Sequence, residues 1–459
     1  MDLNNDEQGL KFREAALSFD SIAICRNLLK DEVLKSLYRL ACFVDNSNLE
    51  ISTFINLYND FYFRLIQNKT NSIKSYIVKC VIFDENPFSM KAGEGKGCDE
   101  WLLEAAGRDL DSLKYISELS AKELKEYVQK ALCRTEFEEN IVKNLPEWSH
   151  ALECIDQNNS LEASLEGIFH SEEKWSKGLE ILKHYYENNG SGIIGQYRAF
   201  MWEHSGVEGD LKGIESPDPV KLSDLIGYHD ERSEIIRNTL QFLKGYRANN
   251  ILLYGDRGTG KSSTVKAIVN EYFSLGLRIV EVSKKDLVDF PEIIRKLKGR
   301  KQRFILFVDD LAFEENEDSY TALKTVLEGG LEAKSDNILI YATSNRRHLV
   351  KERFSDRAGF QSQNLDDEVR SADTMQEKLS LSDRFGITVV FSTPNKNKYL
   401  EIVEGIVAGR GLIIDKDRLH KEAMKWEIWY NGLSPRTAKQ FVDWLEGQEE
   451  LRGNTDDKS

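Results

Sequence analysis

The stretch of sequence that decides the fold is NILLYGDRGTGKSSTVKAIVNEYF, residues 250–273. It contains the pattern G-x-x-x-x-G-K-[ST] in full, running from Gly255 through Gly260 and Lys261 to Ser262. An apolar strand pattern precedes the motif and a helical pattern follows it, which is the context that a phosphate-binding loop requires. Glycines let the backbone wrap a phosphate, and the N–H groups at the start of the helix supply positive potential. The sequence therefore predicts a phosphate-binding loop between a buried strand and a helix.

Two side chains of this loop have specific expected roles. Lys261 is expected to reach the β- and γ-phosphates, and the Ser262 hydroxyl is expected to hold Mg²⁺. The positions expected to contact the nucleotide along the loop are Gly255, Asp256, Arg257, Gly258, Thr259, Gly260, Lys261, Ser262 and Ser263. The loop therefore predicts ATP and Mg²⁺ as the ligands of this chain.

A second motif is the apolar run FILFVDD, residues 304–310, which ends in two acids. A strand that ends in an acid places a carboxylate at the carboxyl edge of a parallel sheet, beside the phosphate loop. Asp309 is expected to hold the Mg²⁺ through water, and Asp310 to polarise the attacking water. The alternative is a strand-end turn that carries two solvated acids.

Five short runs in the second half of the chain are nearly continuous in apolar residues, so each reads as a strand buried on both faces. They are NILLYG, RIVEVS, FILFVDD, NILIYATSN and ITVVF. Helical patterns separate them, and this alternation is typical of a parallel sheet covered by helices. The fold class predicted for this half is therefore α/β.

The first 200 residues are different in texture, because apolar residues recur there at spacings of three and four. Ser120 precedes one such run, with Glu123 three residues on, which predicts a helix start. We expect an all-α N-terminal domain at residues 1–204, a linker at 205–224, a nucleotide-binding core at 225–398, a helical lid at 399–446 and a polar tail at 447–459.

Composition excludes several classes of protein. The chain has 459 residues, 41% of them hydrophobic, and a formal net charge of −15, so global attraction to nucleic-acid phosphates is not expected. No apolar run is long enough to predict a membrane-spanning helix, and the start MDLNNDEQG lacks the features of a signal peptide. The six cysteines show no C-x-x-C spacing, which favours free thiols. We expect a cytoplasmic protein.

The segment from about residue 222 to residue 445 resembles an AAA+ ATPase. Asn345 follows an apolar strand in ATSN and resembles the sensor-1 polar residue, which the resemblance makes catalytic. Ile226 and Gly227, in LIGY, resemble the segment that lines the adenine site. The runs LLYGDRGTGKSSTVKA, LEGGLEA and IYATSNRRHL resemble, more narrowly, a bacterial AAA+ group called domain of unknown function 815.

The resemblance also assigns roles to arginines. LSDRFG, residues 381–386, is similar to the box that carries an arginine finger, which makes Arg384 the candidate and Arg353 its competitor. GLSPR, residues 432–436, is similar to the sensor-2 segment and indicates Arg436. Such a finger reaches the γ-phosphate of a neighbouring subunit, so the resemblance implies a homo-oligomer with shared sites.

The acids depart from the family pattern, because most AAA+ ATPases carry Asp-Glu where this chain carries Asp309-Asp310. The shorter carboxylate predicts slower hydrolysis, and Glu314 or Glu315 could substitute only if the following loop folds back. Three hypotheses follow: an oligomeric ATPase that remodels or loads a partner, a nucleotide-dependent switch with little hydrolysis, and a P-loop kinase or nuclease accessory. For the kinase or nuclease accessory, no motif in the sequence indicates a pocket for an acceptor substrate.

The partner is less clear than the nucleotide. Protein-threading motors carry an aromatic-hydrophobic-Gly loop after the second core strand, whereas Phe290 is here followed by Pro291. Residues 284–303 hold eight basic residues against three acids, so direct nucleic-acid contact is one alternative, and a solvated helix face is the other. An unidentified protein client is the expected partner.

Overall fold

The computed structural model describes residues 3–44, 50–95, 97–149, 165, 169, 174–206, 208–313, 318–328, 335–345, 383–430 and 432–456. The chain divides into two compact units, Met1–Gln196 and Tyr197–Ser459. Among the described helices, none combines the length and the apolar composition that a bilayer crossing requires. The five cysteines in the described part of the chain are free thiols.

The described part of the first unit is built from α-helices. They are α1 (Leu3–Ser21), α2 (Glu32–Phe43), α3 (Ile51–Gln67), α4 (Ile73–Ile82), α5 (Pro87–Gly93), α6 (Glu100–Ser117), α7 (Ala121–Leu132), α8 (Glu136–Lys143), α9 (Leu179–Asn189) and α10 (Gly192–Gln196). Apolar faces of these helices share one core that includes Phe54, Tyr58, Trp148 and Trp175. The prediction of a helical N-terminal region is confirmed.

Side chains at helix ends explain where several of these helices begin. Ser120 caps α7, since its hydroxyl accepts the N–H of Glu123, which confirms the predicted helix start. Asp109 on α6 is buried, and its carboxylate accepts the backbone N–H groups of Ala23, Ile24 and Cys25. A buried carboxylate is tolerated there because these donors replace water.

The second unit contains a seven-stranded sheet. Its strands are β1 (Ala199–Ser205), β2 (Glu208–Gly213), β3 (Ile251–Gly255), β4 (Leu277–Glu281), β5 (Arg303–Val308), β6 (Ile338–Ser344) and β7 (Ile387–Phe391). The spatial order is β2-β1-β4-β5-β6-β3-β7, and every neighbouring pair is parallel except β1 with β2. All five predicted strands are present, which confirms the parallel sheet.

Helices cover this sheet and continue beyond it. They are α11 (His229–Leu243), α12 (Lys261–Tyr272), α13 (Phe290–Leu297), α14 (Asp318–Glu328), α15 (Lys396–Gly409), α16 (Lys416–Trp429) and α17 (Pro435–Asp456). The last three pack on one another through Tyr399, Val403, Ala423 and Phe441, which are all buried. We refer to these three helices below as the lid, the name used for the predicted range 399–446. Since β3 lies between β6 and β7, its carboxyl end is flanked by those of both neighbours.

The structure differs from the predicted ranges at both ends of the second unit. The unit begins at Tyr197, and part of the predicted 205–224 linker forms β2. The edge strand β2 has little strand signal in the sequence, because Gly209 and Gly213, which lie under the rings of Trp202 and Tyr197, interrupt any run of apolar residues. At the other end, α17 continues through Asp456 and so includes most of the predicted polar tail.

Candidate functional site

The loop between β3 and α12 is shaped by its glycines. Gly255, Gly258 and Gly260 have φ angles of 139°, 77° and 90°, which side chains with a Cβ rarely adopt. A Cβ on Gly255 would lie 2.0 Å from the carbonyl oxygen of Phe391, at the end of β7. The loop therefore turns tightly against the neighbouring strand and presents its backbone at the first turn of α12.

Lys261 opens α12 and points back under the loop. Its Nζ donates to the carbonyl oxygens of Gly255 and Asp256, at 2.8 and 2.7 Å, and to Oδ1 of Asn345 at 3.1 Å. Burial lowers the pKa of this ammonium, which is 6% exposed, while the nearby carboxylates oppose that shift. The lysine therefore holds a positive charge in a place where few solvent molecules compensate it.

The first acid of β5's end meets the serine of the loop. Ser262 Oγ donates to Oδ1 of Asp309 at 2.6 Å. Thr343, on β6, donates its hydroxyl to the same carboxylate oxygen. The end of β5, β6 and the start of α12 thus bring together the carboxylate of Asp309 and the hydroxyls of Thr343 and Ser262. This set of oxygen atoms suits a hard divalent cation.

The second acid lies beside the predicted sensor. Nδ2 of Asn345 donates to Oδ1 of Asp310 at 2.6 Å, so Asn345 joins Lys261 and Asp310 through the two ends of one amide. Asp310 has a φ of 52°, and its N–H donates to Oγ1 of Thr343 at 2.9 Å. A residue with a Cβ is strained in this region, and such strain persists where the surroundings fix it.

These groups border one cavity with a volume of about 1020 Å³. Of the positions expected to contact the nucleotide or metal, those that line it are Ile226, Arg257, Gly258, Thr259, Gly260, Lys261, Ser262, Ser263, Asp309, Asp310, Asn345 and Arg436. Gly255, Asp256 and Gly227 lie just behind this lining: the first two begin the loop, and Gly227 follows Ile226 with a φ of 73°.

Arg436 reaches the loop through its backbone. It is the second residue of α17, and its N–H donates to the carbonyl oxygen of Gly258 at 3.1 Å. Its exposed side chain borders the cavity, and its charge adds to the lowering of the Lys261 pKa. The lid thus contributes a cation to the same cavity as the phosphate loop.

Arg384, the candidate finger, lies outside the cavity. Its guanidinium is paired with the carboxylate of Glu328, at the last residue of α14, with Nε 2.6 Å from Oε1. The competitor Arg353 and the alternative acids Glu314 and Glu315 lie outside the described residues. Arg384 therefore stays the predicted arginine finger, with Arg353 as its alternative.

Sequence reasoning missed two contributors. Thr343 carries no motif of its own; it lies on β6, two residues before Asn345, which directly follows the strand. Arg232, on α11, is 6% exposed, lines the cavity and donates to the carbonyl oxygen of Leu225 at 2.6 Å. A charged helical residue normally faces solvent, so nothing in the sequence marked Arg232.

The segment that suggested a partner is tied to its own chain. Phe290 begins α13 and is fully buried, so its ring does not face a translocating peptide. Three of the eight basic residues lie over aromatic rings: Lys284 over Phe313, Lys296 over Trp202 and Arg303 over Phe242, at 5.5, 5.0 and 5.2 Å. Cation–π contacts of this kind occupy cations that a nucleic acid would need.

The parallel sheet, the glycine loop with its lysine, and the acid that follows β5 at the same edge of the sheet define a P-loop protein of the AAA+ class. The chain belongs to the family described as "Protein of unknown function (DUF815)", whose model matches residues 195–449, more than half of the chain. The recognition made from the motifs is thereby confirmed.

Comparisons with named proteins support the AAA+ assignment. The chain is similar to a protein of Dictyostelium discoideum named "Probable mitochondrial chaperone BCS1-A", at 28% identity over 32% of this chain and 40% of that protein. It is also 31% identical to the replication factor C large subunit of Nanoarchaeum equitans (strain Kin4-M), over 23% of this chain and 27% of that protein. The chain thus spans two fifths or less of the length of these curated relatives.

The RuvB Holliday junction branch migration motor of Thermotoga maritima aligns with a TM-score of 0.29 and 14% identity, over 50% of this chain and 72% of that chain.

Proposed function

We propose that this chain binds ATP with Mg²⁺ and hydrolyses it in a site shared between subunits, in order to remodel or load a macromolecular partner. The observation that carries the proposal is the convergence of Lys261, Ser262, Asp309, Asn345 and Arg436 on one cavity. Its volume of about 1020 Å³ suits a ligand as large as a nucleotide.

The lining of the cavity suits both the phosphates and the base of ATP. Lys261, Arg257 and Arg436 supply positive charge around the glycine loop, where the phosphates would lie. Ile226 and Ile402 supply apolar surface in the same cavity, against which a planar base would lie. Gly405 on the lid permits the close approach of Ile226, because a Cβ on Gly405 would lie 2.6 Å from Cγ2 of Ile226.

The residues present also fit a magnesium ion. Ser262 and Asp309 offer two oxygen atoms 2.6 Å apart, and oxygen is the ligand type that Mg²⁺ prefers. When bound, the ion would neutralise charge that develops on the β- and γ-phosphate oxygens. Thr343 fixes the orientation of the Asp309 carboxylate, as an outer hydrogen-bond partner of a ligand usually does.

Asp310 and Asn345 are assigned to the attacking water. The Asp310 carboxylate accepts a hydrogen bond from that water and raises the electron density on its oxygen. Asn345 holds the carboxylate in place through its Nδ2, and its Oδ1 holds Lys261. Both groups are thus set before substrate arrives, which is how positioned dipoles lower a barrier.

Arg384 is assigned to the active site of a second copy of the chain. It is not among the residues that line the cavity of its own chain, and its guanidinium is paired with Glu328 on α14. An arginine supplied in trans can raise the rate of phosphoryl transfer by about 10³–10⁵. Arg353 is the alternative donor of this group.

The partner proposed is a protein client. One relative carries the name of a chaperone and another that of a replication factor, and these names indicate no single class of partner. The engagement of Lys284, Lys296 and Arg303 with rings of this chain disfavours a nucleic-acid contact at that segment.

ATP turnover per subunit, measured over a wide dilution series, tests the shared site. We expect specific activity to rise with protein concentration, and light scattering to report assembly over the same range. A chain that stays monomeric with ATP bound, and whose specific activity does not change, would exclude the shared site.

A nucleotide-dependent switch is the second candidate, and Asp310 is the observation that favours it. Its side chain is one methylene shorter than glutamate, its backbone has a φ of 52°, and its carboxylate is already bound by Asn345. A switch would bind ATP with ordinary affinity and turn it over slowly at every protein concentration. Single-turnover measurement at high protein concentration separates the two candidates.

A further inference from the structure

Each residue of the connection between the sheet and the lid is fixed by a hydrogen bond or by burial. Between the end of β7 and the start of α15 lie Ser392, Thr393, Pro394 and Asn395. The Ser392 carbonyl accepts the hydroxyl of Tyr228 at 2.6 Å, Pro394 is buried, and Asn395 caps α15. Proline also restricts the residue before it to extended conformations.

We call residues 392–395 the hinge. Its remaining residue, Thr393, is hydrogen-bonded to the phosphate loop. Oδ2 of Asp256 accepts the Thr393 N–H at 3.0 Å and also the Thr393 hydroxyl. The backbone N–H of Asp256 donates in turn to the carbonyl of Phe391 at 3.1 Å. These hydrogen bonds lower the pKa of the Asp256 carboxyl, so the pair keeps its charged acceptor.

The loop contacts the lid at a second point, two residues further along. The N–H of Arg436 on α17 donates to the Gly258 carbonyl, and a Cβ on Gly258 would lie 3.2 Å from Ser434 Oγ and from Arg436 Cβ. The phosphate loop therefore contacts the lid at two places. Asp256 bonds to Thr393 in the connection that leads into α15, and Gly258 bonds to Arg436 at the start of α17. A shift of the loop on binding phosphate must therefore move at least one of these contacts.

We propose that the Asp256–Thr393 pair couples the phosphate loop to the lid, so that occupancy of the loop sets how firmly the lid closes. This inference rests on the proposed nucleotide site and names its regulation. Asp256 is a positioning residue: its carboxylate is directed to the hinge, and its negative charge would repel a phosphate rather than bind one. Coupling of this kind requires contacts that differ between the open and the closed lid. The Asp256–Thr393 and Gly258–Arg436 hydrogen bonds are the contacts that we infer to differ.

Hydrogen–deuterium exchange of the full chain tests the coupling, with the Arg436 amide as the direct report on lid closure. The probe is a non-hydrolysable ATP analogue with Mg²⁺. Thr393→Val removes the hydroxyl at similar size, Asp256→Asn removes the charge, and Thr393→Ser is the matched control that keeps both donors.

In the wild type, the analogue should slow exchange at Arg436 by about tenfold or more, because it shifts the lid toward its closed state. Thr393→Val and Asp256→Asn should lose most of that slowing, and Thr393→Val should still bind the analogue, up to about tenfold more weakly than the wild type, because coupling between two sites is reciprocal. Thr393→Ser should behave as the wild type. Exchange in β4 should be the same in all four proteins, which separates lost coupling from general loosening.

Two results would overturn the proposal. One is full slowing at Arg436 in both Thr393→Val and Asp256→Asn. The other is loss of analogue binding in Thr393→Val, since that would assign the pair to nucleotide binding itself. A wild-type chain that binds no analogue would instead refute the proposed function, and the inference with it.

Discussion

Ser262 Oγ donates a hydrogen bond to Asp309 Oδ1 at 2.6 Å, although 47 positions separate the two residues in the sequence. Ser262 lies in the first turn of α12, and Asp309 directly follows β5. The two residues approach because β5 and β3 are parallel strands on either side of β6, so that their carboxyl ends share one edge of the sheet. Two motifs that are distant in the chain therefore form one oxygen-lined position.

The first prediction concerns Asp309. Asp309→Asn should retain binding of ATP without metal but lower Mg²⁺-dependent turnover by about 10²-fold or more, because a neutral amide oxygen is a weaker ligand for Mg²⁺. Turnover measured over a Mg²⁺ titration reports this loss. Asp336→Asn, in the loop before β6, is the matched control and should have no effect. Unchanged Mg²⁺ dependence in Asp309→Asn would remove Asp309 from the metal site.

The second prediction concerns Asp310. Asp310→Asn should bind ATP·Mg²⁺ with near wild-type affinity and lose about 10²-fold in turnover, since the amide cannot accept the proton of the water. Asp310→Glu tests reach, because it restores the longer carboxylate at the same place. Steady-state activity with matched binding data decides the assignment. Full activity in Asp310→Asn would move the water-activating role to another acid.

The third prediction concerns pH. Burial lowers the pKa of Lys261, and only the protonated amine attracts phosphate, so ATP affinity should be complete below that pKa and fall as pH rises through it. The loss should begin at a lower pH than an ordinary lysine would give. Lys261→Arg is the control, because a guanidinium stays protonated and its profile should be flat. The same alkaline loss in both proteins would assign the titration elsewhere.

The fourth prediction concerns the arginine supplied between subunits. Arg384→Ala should bind ATP normally and lose hydrolysis, and it should inhibit wild-type subunits when the two are mixed. Glu328→Gln, which removes the partner of Arg384 but keeps the arginine, should leave turnover within about threefold of wild type. Activity of mixtures at several ratios measures the inhibition. Strictly proportional activity would exclude Arg384 as the finger and leave Arg353.

Much of the core could be predicted, because its determinants are local. The glycine loop, its lysine and the five apolar strands each carry their signal within a few residues, and parallel strand ends bring the acids together without further information. Asn345, which its resemblance to a sensor-1 residue singled out, lies with its Oδ1 3.1 Å from Lys261 Nζ.

The parts that could not be predicted depend on contacts between distant residues. The edge strand β2 contains two glycines and three charged residues, and it is stabilised as a strand by pairing with β1, which pairs in turn with β4. The burial of Arg232 and the bond between Asp256 and Thr393 each depend on the packing of another element. No pattern within one segment indicates such contacts.

Titration calorimetry of ATP at millimolar Mg²⁺ tests the central claim most directly, with Lys261→Ala compared against the wild type. Lys266→Ala is the matched control, because it lies on the same helix but does not line the nucleotide cavity. We predict that the wild type and Lys266→Ala bind ATP alike, while Lys261→Ala loses binding by about 10²-fold or more, since the phosphate charge is left uncompensated. Equal ATP affinity in Lys261→Ala and the wild type would contradict the assignment of this cavity to ATP.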